Sequence, residues 1–274
     1  MTTKLPPLPI YFISHGGGPW PWMKKEMGTT YDKLEASLAD MPRQIGCTPR
    51  AILMVSAHWE APAFTVMSHP KPSMIYDYGG FPAHTYQVHY DAPGAPDVAL
   101  RVQSLIEAAG LPAQVDAERG FDHGTFSPMA AIYPKADVPV LQLSLRNGLD
   151  PAEHIALGRA LAPLRHEGVL IVGSGLSYHN LRNFGPQARE VSKAFDDWLN
   201  RTVVEAASRQ RIDGLLDWAS APAARMAHPR EEHLIPLMVA VGAAGDEMGE
   251  LSYHEDAFMG GIAVSSFRFG AVGG

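Results

Sequence analysis

Three of the twelve histidines follow short apolar runs that are rich in Val, Ile and Leu. Such runs are typical of strands buried on both faces of a sheet, and the carboxyl ends of parallel strands meet at one edge, where ligands bind. The runs are 10–14, 51–56 and 169–173, and the histidines are His15 directly after the first, His58 two residues after the second and His179 a few residues after the third. A lone histidine there would more often be structural. Because neutral imidazole binds zinc, iron, copper and nickel, three at equivalent strand ends predict a metal site.

Two further histidines lie in segments that a site at this edge could use. His123 belongs to RGFDHGTFSPM, in a predicted loop before a short helix over 127–133. It is a candidate proton donor or hydrogen-bond partner, or alternatively a residue of a capped turn. His233 lies early in a predicted helix over 229–241, and helical spacing turns it toward the interior, where a polar ring needs a partner. Glu232 is the competing ligand at this place.

The other seven histidines carry weaker signals. His228, just upstream of the predicted helix at 229–241, is expected to be a cap or a surface residue. Structural or exposed roles are expected for His69, His154, His166 and His254. His84 and His89 lie in the long irregular region 67–96 and are candidates for lining a pocket. The aromatic residues that could form pocket walls, or equally belong to the core, are Trp20, Trp59, Phe81 and Tyr86.

Apolar runs alternate with segments of helical spacing along much of the chain. Strands are predicted over 10–14, 51–56, 138–144 and 169–173, with edge or late strands over 251–254 and 262–269. Helices are predicted over 31–44, 96–109, 151–164, 190–208, 212–220 and 229–241. This alternation is typical of an α/β fold with a mostly parallel central sheet flanked by helices. Without a repeat or linker, the sequence predicts a single domain over 1–274, with the metal site at the carboxyl rim of the strands.

The composition argues against two classes of partner. The 22 Lys and Arg against 29 Asp and Glu give a net charge of −7 without a basic cluster, so a phosphate backbone would be repelled. No stretch approaches the roughly 20 apolar residues that span a bilayer, and the N-terminus lacks a secretory signal. The single cysteine, Cys47, cannot form an intrachain disulfide. We expect a cytoplasmic protein that binds neither nucleic acid nor membrane, and the sequence leaves homo-oligomerisation open.

Five fragments in sequence order carry a resemblance to a known family: ISHGGGP, SAHWE, RGFDHGTFSPM, GSGLSYHNLR and HPREEHLIPL. Together they resemble the class III extradiol ring-cleaving dioxygenases, in particular the 4,5-DOPA dioxygenase-like branch related to the catalytic subunit of protocatechuate 4,5-dioxygenase. The resemblance implies an α/β domain with a non-haem metal at the carboxyl rim. It also implies an oxidoreductase that inserts both atoms of O2 into a catechol-type ring and gives a muconic semialdehyde-type product.

The resemblance also implies roles for the histidines. His15 and His58 match the two histidine ligands of the family, and His233 matches the third ligand position, which is a glutamate in the protocatechuate branch. His179 matches the active-site acid/base histidine, and His123 matches a second pocket histidine. The metal that the family's chemistry requires is iron(II), and the partners are a small aromatic diol and O2.

The replacement of a carboxylate by a third imidazole leaves alternatives open. Three neutral imidazoles also suit zinc, which a purified sample could contain, with His179 as a fourth ligand. Glu232 rather than His233 remains an alternative third ligand. A zinc-dependent hydrolase on the same three-histidine scaffold and a non-catalytic metal-binding homologue are the alternative functions.

Overall fold

The apolar runs of the sequence form the centre of one eight-stranded sheet. The computed structural model describes residues 6–273, and its strands are β1 Ile10–Ser14, β2 Ala51–Ala61, β3 Phe64–Met67, β4 Ala113–Asp116, β5 Val140–Arg146, β6 Val169–Gly175, β7 Gly249–Phe258 and β8 Ile262–Phe269. Their order is β4-β3-β5-β2-β6-β1-β8-β7. The central neighbours β5, β2, β6 and β1 pair in parallel, as do β3 and β4, whereas β8 pairs antiparallel with β1 and β7, and β3 with β5. The predicted single α/β domain with a mostly parallel sheet is confirmed.

Nine α-helices flank this sheet in the described part of the chain. They are α1 Lys24–Met27, α2 Asp32–Ile45, α3 Pro96–Ala108, α4 His123–Ile132, α5 Pro151–Leu161, α6 Arg189–Asn200, α7 Ser208–Leu216, α8 Ala224–Ala227 and α9 Ile235–Ala244. Every residue of α9 is buried, as expected for a helix that is apolar all round, and α9 packs on α5 and on β1, β2 and β6. Within residues 6–273, no helix combines the length and the apolar character needed to cross a bilayer.

Several boundaries differ from the sequence prediction where the chain departs from regular pairing. β2 continues to Ala61, because its pairing with β5 resumes after a register shift. The sequence pattern does not predict the short strands β3 and β4. The helix predicted over 190–208 is α-helical only to Asn200 and ends in the π-helical turn Arg201–Glu205. The helix predicted over 212–220 is α7, which begins and ends four residues earlier.

Two helices begin elsewhere than predicted, and each change affects a candidate site residue. α4 begins at His123, so the predicted loop before a helix at 127–133 is wrong. The segment predicted to be helical over 229–241 is helical only from Ile235, because Pro236 occupies the first turn of α9. His123 is therefore presented by the first turn of a helix, and His233 by the segment that precedes one.

Candidate metal centre and active site

Three histidine side chains converge on one point near the carboxyl edge of the central strands. Nε2 of His58 lies 3.3 Å from Nε2 of His15 and 3.2 Å from Nε2 of His233. Among the described residues, these three histidines form a group whose ligand atoms all lie within 4.8 Å of one another. Two imidazoles bound to one ion at roughly 2.1 Å, at angles between octahedral and tetrahedral, would be about 3.0–3.4 Å apart. The observed spacing therefore fits a shared ion.

His15 is presented by the end of β1, as predicted. Its backbone N–H donates to the Gly175 carbonyl at 3.1 Å, which extends the pairing of β1 with β6 by one residue. The chain then turns at Gly16, whose φ is +78° and where a Cβ atom would lie 2.4 Å from the Trp20 ring. Nε1 of Trp20 donates to the His15 carbonyl at 2.8 Å. The backbone of His15 is thus held on both sides.

His58 lies inside β2, so the prediction that it follows the strand by two residues is wrong. The pairing of β2 with β5 shifts register between Val55 and Glu60, where five steps along β2 face two along β5. A bulge of this kind bends a strand and re-aims its side chains, and bulges are common beside active sites. His58 belongs to the extra residues of the bulge, so its imidazole can reach the other two histidines although the strand continues past it.

His233 precedes α9 rather than lying within it, so the helical spacing that predicted its direction does not apply. Its burial, which the sequence predicts, has another cause. The His233 carbonyl accepts a hydrogen bond of 3.0 Å from the backbone N–H of Leu176, directly after β6. A Cβ atom on Gly175 would lie 2.1 Å from the same oxygen. Glycine at the end of β6 therefore permits the close approach that places this imidazole.

Burial keeps the three imidazoles uncharged. Together with a smaller effect of the neighbouring imidazoles, it lowers the pKa of His15 and of His233 well below the usual value and that of His58 to about 3. Nδ1 of His233 donates to Oε1 of Glu232 at 2.9 Å, and Nδ1 of His58 lies 3.3 Å from Oδ2 of Asp77. The Nε2 atoms of both therefore carry lone pairs. Lone pairs that face one another this closely are stabilised by a cation between them, so the donor set fits a divalent metal.

Asp77 connects His58 to His123. Its Oδ1 accepts hydrogen bonds from Nδ1 of His123 at 2.9 Å and from the backbone N–H of His123 at 3.0 Å. Burial would raise the pKa of Asp77, but the hydrogen bonds from His123 and the proximity of His58 hold it below the usual value. Sequence reasoning missed Asp77, because it lies in the irregular region before α3; the only signal was a carboxylate flanked by Tyr76 and Tyr78.

Glu232 makes the matching connection between His233 and His179. Its Oε1 lies 2.9 Å from Nδ1 of His233 and 3.0 Å from Nδ1 of His179, and the two imidazole rings stack with centroids 3.4 Å apart. Burial would raise the pKa of Glu232, but the hydrogen bond from His179 brings it below the usual value. This arrangement favours His233 over Glu232 as the third ligand. His179 lies outside the three-histidine group, so its ring would have to move to become a fourth ligand of zinc.

The start of α4 is tied to the sheet by the fully buried Asp122. Its carboxylate accepts hydrogen bonds from Oγ of Ser56 at 2.8 Å and from Nε2 of Gln142 at 2.6 Å. Ser56 belongs to β2 and Gln142 to β5, so the carboxylate joins the helix to two central strands. As the next residue, His123 is carried to within 4.0 Å of His58, measured between ring centroids.

All five of these histidines line one cavity of about 460 Å³. The volume falls within the range of roughly 300–1,000 Å³ that is typical of small-molecule sites. Of the four aromatic residues considered as pocket walls, only Phe81 lines the cavity. Trp20, Trp59 and Tyr86 instead pack against other side chains behind it.

Two predictions about the remaining histidines are wrong. His228 is fully buried rather than a cap or surface residue, because the turn after α8 carries it beneath the chain that leaves β6. Its Nε2 donates to the Ser177 carbonyl at 2.9 Å, and its ring packs against Phe195. His84 and His89 are exposed and do not belong to the cavity lining.

Comparison with known proteins defines the class to which this fold and site belong. Residues 9–269 match the family described as the catalytic LigB subunit of aromatic ring-opening dioxygenase. The chain is 38% identical over 263 residues to the 4,5-DOPA dioxygenase extradiol of Beta vulgaris, covering 94% of this chain and 95% of that protein. It is 33% identical over 262 residues to the 4,5-DOPA dioxygenase extradiol of Escherichia coli (strain K12), covering 89% and 92%. It is also 35% identical over 290 residues to the dioxygenase tasH of Hapsidospora irregularis, covering 98% and 87%.

The fold is also similar to that of a solved structure from Escherichia coli K12. The crystal structure of this uncharacterized protein superposes with a TM-score of 0.74 at 29% identity, and the match covers 96% of this chain and 100% of that chain. The chain therefore belongs to the LigB family of class III extradiol dioxygenases. It is an extradiol aromatic ring-opening dioxygenase, an oxidoreductase, and its three-histidine group could bind the metal that the family uses.

Proposed function

We propose that this protein is an iron(II)-dependent extradiol dioxygenase that acts on a catechol-type substrate. The convergence of Nε2 of His15, His58 and His233 on one point carries the proposal. The names of the relatives, 4,5-DOPA dioxygenase extradiol, support a dihydroxylated aromatic ring as the substrate. We take the single catalytic domain to comprise 1–274, since the strands of one sheet extend from residue 10 to residue 269.

In this proposal, His15, His58 and His233 hold the iron through Nε2. Ferrous iron, when bound, supplies the redox chemistry that allows O2 to react with an aromatic diol. Because all three imidazoles are uncharged, they would leave the full positive charge of a bound metal ion in place. That charge would favour binding of an anionic diol. The histidines and the cavity next to them hold the ring in one orientation, which lowers the entropic part of the barrier.

In this proposal, His179 transfers a proton and His123 hydrogen-bonds the substrate. Nδ1 of His179 is held by Glu232 and Nδ1 of His123 by Asp77, so Nε2 of each ring is the atom left for the substrate. A neutral Nε2 on His179 can accept the proton of a diol hydroxyl and return it to the product. Nε2 of His123 can hydrogen-bond a substrate oxygen.

The overall reaction balances without a further reductant. One catechol and one O2 give one muconic semialdehyde-type product: the ring C–C bond beside the diol and the O–O bond break, and both oxygen atoms enter the product. The four electrons that reduce O2 come from the ring itself. The largely apolar lining of the cavity suits the flat ring of the diol.

Reconstitution tests the proposal directly. The apo-protein is loaded with ferrous iron without air, mixed with a panel of catechols and then exposed to isotopically labelled O2. We expect a yellow semialdehyde, consumption of one O2 per product and both labelled atoms in the product. Turnover without O2, or activity with zinc but not with iron, would instead support the hydrolase and contradict the proposal.

Substitutions separate the ligands from the acid/base group. His15→Ala, His58→Ala and His233→Ala should each lose the metal and the activity together, whereas His179→Ala should retain the metal with a loss of rate of about 10²-fold or more. Metal content and turnover are measured on the same samples. Full metal occupancy in His233→Ala together with loss of metal in Glu232→Ala would show that Glu232 is the ligand.

A further inference from the structure

The charge distribution of the active-site cavity restricts what can be attached to the catechol ring. Of the residues that the structure describes, 6–273, twenty line the cavity, and none of these twenty is a lysine or an arginine. The only carboxylate in the lining is Asp77, which already faces His123 and His58. Any formal charge that the lining presents beyond the histidines is therefore negative.

The hydroxyl groups of the lining are also engaged within the protein. The lining contains two tyrosines, Tyr31 and Tyr78. The Tyr78 hydroxyl donates to the Thr85 carbonyl at 2.6 Å, and the Tyr31 hydroxyl accepts from the backbone N–H of Gly17 at 3.1 Å. The Tyr78 proton is thus used within the protein, and the Tyr31 hydroxyl offers a neutral donor rather than a positive charge.

The remaining wall is apolar and comes from three separate parts of the chain. The apolar side chains of this wall are Met23, Met27, Leu181, Phe184, Phe258 and Met259. Ring contacts connect two of these parts: the centroids of Phe184 and Phe258 lie 6.2 Å apart, and that of Phe258 lies 5.4 Å from that of Tyr31, which also lines the cavity. Met23 and Met27 line the same cavity, so all three parts face one space.

Two arginines line a groove on the outer side of His179, which adjoins the cavity because His179 and Leu181 line both. This groove is lined by Arg182 and Arg230, and Arg230 already pairs with the carboxylate of Glu60 at 2.6 and 2.5 Å. Arg182 is exposed. Neither guanidinium belongs to the lining of the cavity itself.

We propose that the substrate is a catechol whose ring substituent is uncharged and apolar, an alkyl or aryl group, and that the wall of Met23, Met27, Leu181, Phe184, Phe258 and Met259 binds this group. The inference rests on the proposed function, since it assigns the substrate class of that site. A charged substituent would lose its hydration in the cavity and gain no partner there, which opposes its binding. An apolar group of the same length would gain from leaving water.

Three catechols of matched length test the preference: 4-propylcatechol, the analogue that ends in a carboxylate and the analogue that ends in an amine. With the iron-loaded protein, we expect kcat/KM for 4-propylcatechol to exceed that of each charged analogue by at least about tenfold, mostly through KM. DOPA, which carries both charges, should rank with the charged analogues. A charged analogue that is cleaved as well as or better than 4-propylcatechol overturns the inference but leaves the proposed function intact.

Binding without turnover separates a failure of the inference from a failure of the proposed function. Calorimetric titration of the zinc-loaded protein with the same three catechols should give the same order of affinity. If no catechol is cleaved by the iron-loaded protein, the proposed function fails, while this titration still decides the inference. Equal or tighter binding of the carboxylate or the amine overturns it.

Matched substitutions locate the preference in the wall. Met27→Arg places a cation in the wall and should shift the preference toward the carboxylate analogue by at least about tenfold. Met248→Arg makes the same change at a surface residue that is 51% exposed and should leave the preference unchanged. Arg182→Ala should not alter discrimination among the three catechols. A selective loss of the carboxylate analogue in Arg182→Ala would show that Arg182 binds it, contrary to the inference.

Discussion

Two carboxylates each link one histidine of the three-histidine group to one histidine outside it. Asp77 contacts His58 and His123, and Glu232 contacts His233 and His179. A carboxylate on Nδ1 fixes the tautomer and the orientation of an imidazole and raises its basicity. In the proposed mechanism, each carboxylate therefore supports a metal ligand and a proton-transferring ring at the same time.

Replacing Asp77 by asparagine should weaken both functions of this carboxylate. We expect Asp77→Asn to lower both kcat and the affinity for metal by about 10–100-fold, because an amide oxygen accepts the two hydrogen bonds from His123 more weakly than a carboxylate does. Stopped-flow turnover and chelator competition on the same sample provide the measurement. Asp91→Asn changes an exposed aspartate of the same irregular region and serves as the control. Unchanged kcat and metal affinity in Asp77→Asn would contradict this role.

The buried His228 should make the protein sensitive to acid. Burial lowers its pKa to about 4, so the unfolded chain binds a proton below about pH 6.5 that the folded chain does not accept until about pH 4. The free energy of unfolding should therefore fall as the pH falls through this window, by about 3 kcal/mol from this residue.

Urea denaturation of wild type and His228→Gln at several pH values isolates that contribution. The variant should lose less stability than wild type between pH 6.5 and pH 4, while the exposed His89→Gln should behave as wild type does. Because the buried site histidines are present in all three proteins, their own acid sensitivity cancels in the comparison. Identical pH dependence in wild type and His228→Gln would rule the contribution out.

At the scale of elements, three neighbouring strands determine where the candidate ligands lie. β1 ends at His15, β2 carries His58 in its bulge, and β6 ends at Gly175, against which the His233 carbonyl packs. The strands could be predicted because apolar runs buried on both faces are visible in the sequence. The bulge could not, because it depends on the register between β2 and β5, which no local pattern encodes.

Gly175→Ala should weaken metal binding by displacing the backbone at His233 rather than by removing a ligand. The added Cβ atom would lie 2.1 Å from the His233 carbonyl and push that segment away from β6. We expect a destabilisation of about 1–3 kcal/mol together with an affinity for metal that is at least about tenfold lower.

Gly158→Ala is the matched control for this change. Its Cβ atom would lie 2.1 Å from the Val239 carbonyl, where α5 crosses α9, about one helical turn past the start of α9. Urea denaturation and chelator competition on both variants should show comparable destabilisation but weaker metal binding only in Gly175→Ala. Equal metal affinities would show that the contact at β6 does not position His233.

At the scale of the molecule, the site joins parts of the chain that are remote in sequence. The histidines were recognisable because their placement after strands and the five family-like fragments could be read without a structure. Helical spacing predicts that His233 points inward, but the helix begins only after this residue. His233 is buried as predicted, although a non-helical segment places it. Asp77 and the apolar wall depend on how irregular segments fold over the sheet, which periodicity cannot reveal.

Removal of metal should therefore lower the stability of the whole fold. Only the folded chain brings His15, His58 and His233 together, so a bound ion stabilises that state in proportion to its occupancy. We expect a chelator to lower the Tm of the metal-loaded wild type by at least about 5 °C, measured by calorimetry. His58→Ala should show no chelator-dependent shift. A shift of equal size in that variant would place the stabilising ion elsewhere.

The irregular region before α3 covers one side of the cavity with Tyr78, Gly79 and Phe81 but contributes none of the three converging imidazoles. The imidazoles are anchored to the central strands and to the turn before α9, whereas much of the surface that meets a ring substituent comes from connecting segments. Connecting segments tolerate insertion and replacement far better than buried strands do. Substrate specificity can therefore diverge through changes in the connecting segments while the metal site stays the same. Homologous enzymes of this fold can thus act on different diols by one reaction.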